Sequence, residues 1–233
     1  MNGQIGEIRK ILEGLTSYKG LPSDDIPDIA LYMDQVTTFL NKKLDSFKRQ
    51  ENDKILTKTM INNYTKANLT FPPTNKKYEK DHIMMLTLIY HMKQILSVND
   101  MAKLVNPIIK LVDSPVDTGK TTEELYGLFT NMESRELRQF EKSVNIIISG
   151  FSENSELGSI SDDAFLIMTV LTLIIQAEHR KNLAEKLIDI FFGEKEHEKK
   201  KDEEKPKNKP KDKPKEKSKE KSKEKGKSKP VKK

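Results

Sequence analysis

Five polar side chains between Thr57 and Asn68 carry the most specific chemistry in the chain: Lys58, Thr59, Asn62, Asn63 and Lys66. In a helix they occupy the arc left over once Ile61 and Tyr64 are given to packing. A carboxamide can hold adenine through two hydrogen bonds in the major groove, and a lysine can reach guanine or phosphate. The charge around them agrees. From Lys54 to Lys80 there are six lysines and one acid, Glu79, a net of +5. The whole chain has 42 Lys plus Arg against 36 Asp plus Glu, but 19 of those lysines and 10 of those acids lie in 194–233. Residues 1–193 are therefore net −3, and −8 once 54–80 is set aside. Positive charge is concentrated where the polar helix is expected, and the chemistry it suits is duplex DNA recognition.

Other chemistries find little support. Cysteine is absent, which excludes disulfides, thiolate zinc sites and cysteine nucleophiles. None of His82, His91, His179 and His197 pairs with another at i,i+4, so no metal spacing is present. Gly119-Lys120-Thr121 looks like the end of a phosphate loop, but Ser114 stands where that motif needs glycine. No strands flank it to build the parallel sheet it requires. No serine–histidine–acid grouping stands out, so neither an enzyme, nor a metal, nor a cofactor is expected.

The elements that must position the polar helix are mostly helical. Ile5, Ile8, Leu12 and Leu15 form an amphipathic N-terminal helix that Gly20 and Pro22 end. Pro27 and Asp28 open a helix that runs through Phe39 to Phe47, and the polar run 48–53 closes it. Thr57 is placed to cap the next helix and Asn68 to end it, with Pro72-Pro73 forbidding continuation. A short extended or turn segment, 74–78, precedes an apolar helix from about Asp81 to Ile95. Ser97 with Asp100 starts another. Beyond it, Pro107 and Pro115 bracket an apolar run, and Thr121 with Glu124 opens a helix through Phe129. A separate helix is expected from Leu137 to Gly150, and a last one from Ser161 to Gly193. No β-rich block is visible. In the tail, lysine holds every odd position from Lys205 to Lys229, a composition that predicts disorder.

The stretch Ile55 to Val105, ILTKTMINNYTKANLTFPPTNKKYEKDHIMMLTLIYHMKQILSVNDMAKLV, resembles the MerR family of winged helix-turn-helix regulators. Thr57 stands where that family caps its recognition helix, Tyr64 at the second of its paired tyrosines, and Pro72-Pro73 at the pair opening the wing. The family's first tyrosine and the arginine before it are Asn63 and Asn62 here. The resemblance implies that Tyr64 contributes to the DNA surface and that Lys76, Lys77 and Tyr78 hold backbone from a short wing. Over residues 21–180, LPSDDIPDIALYMDQV and LTKTMINNY also resemble an uncharacterised bacterial family of YkrK-type proteins, a domain of unknown function presumed to bind DNA.

The expectation is therefore an all-α protein in four parts. These are an N-terminal helix at 1–20, a MerR-like winged helix-turn-helix at 21–105, a helical dimerisation or effector region at 106–193 and a lysine-rich tail at 194–233. The expected function is sequence-specific binding of double-stranded DNA in transcription regulation. The alternative is a protein-interaction module on the same fold. Leu166, Val170, Leu173, Ala177, Ala184, Leu187 and Phe191, a heptad seam broken by Arg180, suggest either an internal core stripe or a homodimer. The tail could add nonspecific nucleic-acid contact but has no aromatic ring to stack on bases. The longest apolar run, 164–175, is too short to span a bilayer, and the first 19 residues lack a signal-like apolar run, so a soluble cytoplasmic protein is expected.

Overall fold

Short elements bounded by prolines and caps build the first hundred residues around a single apolar helix. The computed structural model describes residues 2–112, 122–153 and 161–193. Helix α1 (Asn2–Thr16) buries Leu12 beside Val144, Ile148 and Phe165, with Ile5 and Ile8 packed alongside. That docking supplies the stability an isolated 15-residue helix lacks. The chain then turns at Gly20, whose φ of +77° suits glycine.

Strand β1 (Leu31–Tyr32) leads directly into α2 (Met33–Lys43). The helix expected from Pro27 therefore starts later, and Ile29 is left exposed. Two interactions set the start: Leu31 and Tyr32 are claimed by strand pairing, and the Tyr32 N–H donates to the Gln35 carboxamide at 2.8 Å. The helix also ends early, at Lys43, with a 3-10 turn at Asp45–Phe47 following.

Helix α3 (Lys58–Lys66) begins where Thr57 predicted: the Thr57 hydroxyl accepts the Met60 N–H at 3.2 Å. It ends in a Schellman motif. Asn68 takes the left-handed conformation at φ 54°, and the Leu69 N–H returns to the Tyr64 carbonyl at 2.9 Å while the Leu69 side chain enters the core.

The segment after Pro72-Pro73 is a two-residue hairpin. Thr74 and Lys77 exchange both backbone hydrogen bonds, at 3.1 and 3.0 Å, around Asn75 and Lys76. Both central residues have positive φ, 52° and 62°, the geometry that lets the two arms twist together. Strand β2 (Lys77–Tyr78) then pairs antiparallel with β1, Leu31 opposite Tyr78 and Tyr32 opposite Lys77. The extended or turn segment expected at 74–78 is this hairpin and strand, and the small sheet joins residues 45 or more apart in sequence.

Helix α4 (Lys80–Lys93) is the centre of the main core, with Ile83, Met84, Met85, Leu86 and Ile89 fully enclosed. Helix α5 (Val98–Val112) starts at the expected Ser97 cap and runs unbroken through Pro107, so the boundary expected at 105/106 lies inside a helix. Helix α6 (Thr122–Glu153) is one 32-residue element where two were expected. Its polar middle, Thr130 to Glu136, contains neither proline nor glycine, and Gly150 sits within the helix instead of ending it. The first half of α6 places Tyr126 and Phe129 in the main core, and the second half places Val144 and Ile148 in the α1 cluster. The described residues up to Gly193 consequently pack as one unit.

Helix α7 (Asp162–Phe192) starts at Ser161, whose hydroxyl accepts the Ala164 N–H at 3.3 Å. Its expected heptad seam is divided: Leu166 and Leu173 pack on the α1 cluster, while Val170, Leu187 and Phe191 are exposed. No helix among the described residues is long and apolar enough to cross a membrane. Gly119-Lys120-Thr121 and the lysine tail lie outside those residues.

Candidate nucleic-acid interface

The position of α3 is fixed from the α2 side by one carboxamide. Asn41 accepts the Ile55 N–H through Oδ1 at 2.8 Å and donates through Nδ2 to the Leu56 carbonyl at 2.9 Å. Lys93 adds a 2.7 Å hydrogen bond to the Ile55 carbonyl. The residues before Thr57 are thus tied to both α2 and α4. Ile61 and Tyr64 then anchor α3 in the core, at 0% and 8% exposure. Lys58, Thr59, Asn62, Asn63 and Lys66 all face solvent.

The hairpin is held from the α4 side. The Glu79 N–H donates to Nδ1 of His82 at 3.1 Å, and Nε2 of the same ring lies 3.2 Å from the Pro72 carbonyl. One nitrogen must accept and the other donate, so the neutral ring with its proton on Nε2 satisfies both. His82 is a buried brace between the proline pair and α4. Lys76 is exposed at the hairpin tip and Lys77 is half-buried beside it.

Tyr64 and Tyr78 are buried, and burial pushes both phenols above their ordinary value. Their rings support the exposed residues from inside the core. The structure therefore brings seven of the nine candidate residues to the surface on α3 and the hairpin, over two tyrosines.

The electrostatics are less one-sided than the local count of +5. Lys58 forms an ion pair with Asp34 of α2, both side chains being largely exposed. The Lys77 ammonium lies 5.3 Å from the Tyr32 ring centroid. Lys80 bridges Asp28 at 3.4 Å and Glu123 at 2.9 Å. Lys66 and Lys76 make no ion pair among the described residues. Sequence reasoning missed Asp34 and Tyr32 because they stand 24 and 45 residues from the lysines they meet. No local pattern marks either.

A cleft of about 630 Å³ opens between α2, the 48–54 loop and the start of α3. It mixes Lys48, Lys54 and Lys58 with Glu51 and Asp53, and includes no histidine. Among the described residues, no three His, Asp or Glu side chains are grouped to hold a metal.

The geometry defines a predominantly helical domain that presents a polar helix and a two-residue hairpin from one core. Residues 21–129 match a family described as a domain of unknown function, DUF1836. The match ends at Phe129, which packs against the core around α4, so it crosses the boundary expected at 105/106 and takes in the start of α6. No curated protein and no solved structure matches the chain.

Proposed function

We propose that this chain binds double-stranded DNA sequence-specifically and regulates transcription, with α2 and α3 as the helix-turn-helix and residues 74–78 as the wing. The observation that carries the reading is the division of α3. Its packing residues are inside, while two asparagines, two lysines and a threonine share the outer arc with no aliphatic side chain among them. A major groove about 12 Å wide accepts such a helix. Lys58, Thr59, Asn62, Asn63 and Lys66 would read bases or nearby phosphates. Lys76 and Lys77 would hold backbone, with Tyr64 and Tyr78 fixing the two elements. The Lys58–Asp34 pair is no obstacle, since exposed pairs contribute only about 0–1 kcal/mol and exchange readily.

Selection of genomic fragments by the full chain tests this reading. Enrichment of a defined sequence that is lost in Lys58→Ala/Asn62→Ala supports it; no enrichment, or enrichment unchanged in the double variant, overturns it.

One observation favours a second reading, a helical protein-interaction module on the same fold. Lys58, Lys77 and Lys80 already have partners within the chain, and Asp28, Asp34 and Glu123 dilute the positive field. Recovery of a specific protein complex that depends on Asn62 and Asn63, without DNA enrichment, would select it.

A further inference from the structure

Helix α7 exposes eleven large apolar side chains, and six of them fall between Ile167 and Ile175. Ile167, Met168, Val170, Leu171, Ile174 and Ile175 are each at least 44% exposed. The opposite face of the same turns is spent internally, with Phe165 packed beside Val144 and Ile148 of α6 and Leu12 of α1, and Thr169 buried as well. At about half exposure a side chain of this size shows on the order of 100 Å², so the patch offers roughly 500–600 Å². The largest apolar patch of a typical monomer is about 300–600 Å², and a standard interface takes about 800 Å² per partner.

We infer that this face of α7 pairs with the same face of a second copy of the chain, the two helices running antiparallel across a two-fold axis at Leu171. Two features select that occupant. First, no charged residue lies between Asp163 and Glu178, so a charged partner surface finds nothing to meet. Second, Ile167, Met168, Ile174 and Ile175 are the positions four and three before and after Leu171. These are its neighbours on a helix surface, and the set is unchanged when the chain direction is reversed. An antiparallel copy therefore places Ile167 against the partner's Ile174 and Met168 against the partner's Ile175, with Leu171 against itself. A membrane surface fits less well. A helix lying on lipid carries lysine and arginine opposite its apolar face, and here that side is buried protein.

The pairing requires nothing of DNA binding and stands or falls separately from it. The absence of native cysteine makes single-cysteine full chains clean probes. Light scattering of the full chain at micromolar concentration should give twice the chain mass. Leu171→Glu should give the monomer mass with unchanged helicity, while Ile146→Glu, at an exposed α6 position, should remain dimeric. With a short bis-maleimide, Ile167→Cys should cross-link to size-tagged Ile174→Cys at least tenfold faster than to another Ile167→Cys. In the proposed pair, position 167 stands about 12 Å along the axis from its own counterpart. A wild-type monomer, a dimeric Leu171→Glu, or faster cross-linking of 167 to itself would each overturn the proposal.

Discussion

Helices α4 and α7 both carry long apolar runs, yet one is sealed inside the molecule and the other displays its side chains to water. Eight of the 14 residues of α4 are buried, including Ile83 through Thr87 in succession. Of the 31 residues of α7 only Phe165, Thr169 and Ile188 are. The difference lies in what surrounds them: α4 is packed by α2, β2, α5 and α6 on all sides, whereas α7 rests one side on α5, α6 and the cluster around Leu12 of α1. Apolar sequence says that a surface must be covered. It does not say by what.

Substitutions should separate the two helices most sharply. Leu86→Ala in α4 removes a fully enclosed side chain and should lower unfolding free energy by about 2–5 kcal/mol in urea titration. Leu171→Ala in α7, measured at a concentration that keeps the chain monomeric, should change it by no more than about 0.5 kcal/mol. Equal losses at the two positions would mean that α7 is covered within the monomer.

Asn62→Ala on α3 comes next. Loss of one bidentate contact should cost about 1–3 kcal/mol of discrimination at a single base pair, read by competition between a selected duplex and its point variants. Stability should be unaffected, because Asn62 touches solvent and not the core.

A smaller effect concerns the junction of α4 and α6. Burial pushes the Glu133 carboxyl from an ordinary 4.5 up to about 7, and holds the His91 imidazole, ordinarily 6.5, down at about 4. The two groups lie 3.3 Å apart beside a ring of aromatic side chains. For Glu133 the folded value is the higher one, so its contribution is present at low pH and is lost as pH rises from about 4.5 through 7. For His91 it is the lower one, so stability is lost as pH falls from about 6.5 through 4. Above pH 7 only the cost of ionised Glu133 remains. Glu133→Gln should therefore raise the melting temperature more at pH 8 than at pH 5. An equal change at both would contradict the buried-carboxyl account.

The parts that were legible in sequence are those whose signal is local. Thr57, Asn68, Ser97 and Ser161 act within five residues of themselves, and each bounds its helix as expected. The exposed arc of α3 follows from the same helical period. The contacts of Lys58 with Asp34, Lys77 with Tyr32 and β1 with β2 depend on distant segments meeting, and no spacing rule reports that. The seam of α7 was legible as apolar, but its division into an inward half and an outward half depends on where α1 and α6 lie.

The smallest effect expected is at Asp34. Asp34→Asn releases Lys58 from an exposed pair and should tighten duplex binding by at most a few-fold, in keeping with about 0–1 kcal/mol for such pairs. Weaker binding would show instead that Asp34 positions Lys58 for its contact.

The most direct test of the account is the ratio of affinities for a selected duplex and a scrambled duplex of equal length, measured for the full chain and for Lys58→Ala/Asn62→Ala at the same salt. The account predicts that the ratio falls at least tenfold in the variant while affinity for the scrambled duplex changes little, because 19 lysines remain in the tail. A ratio near one for the unaltered chain, or the same ratio for both proteins, would contradict it.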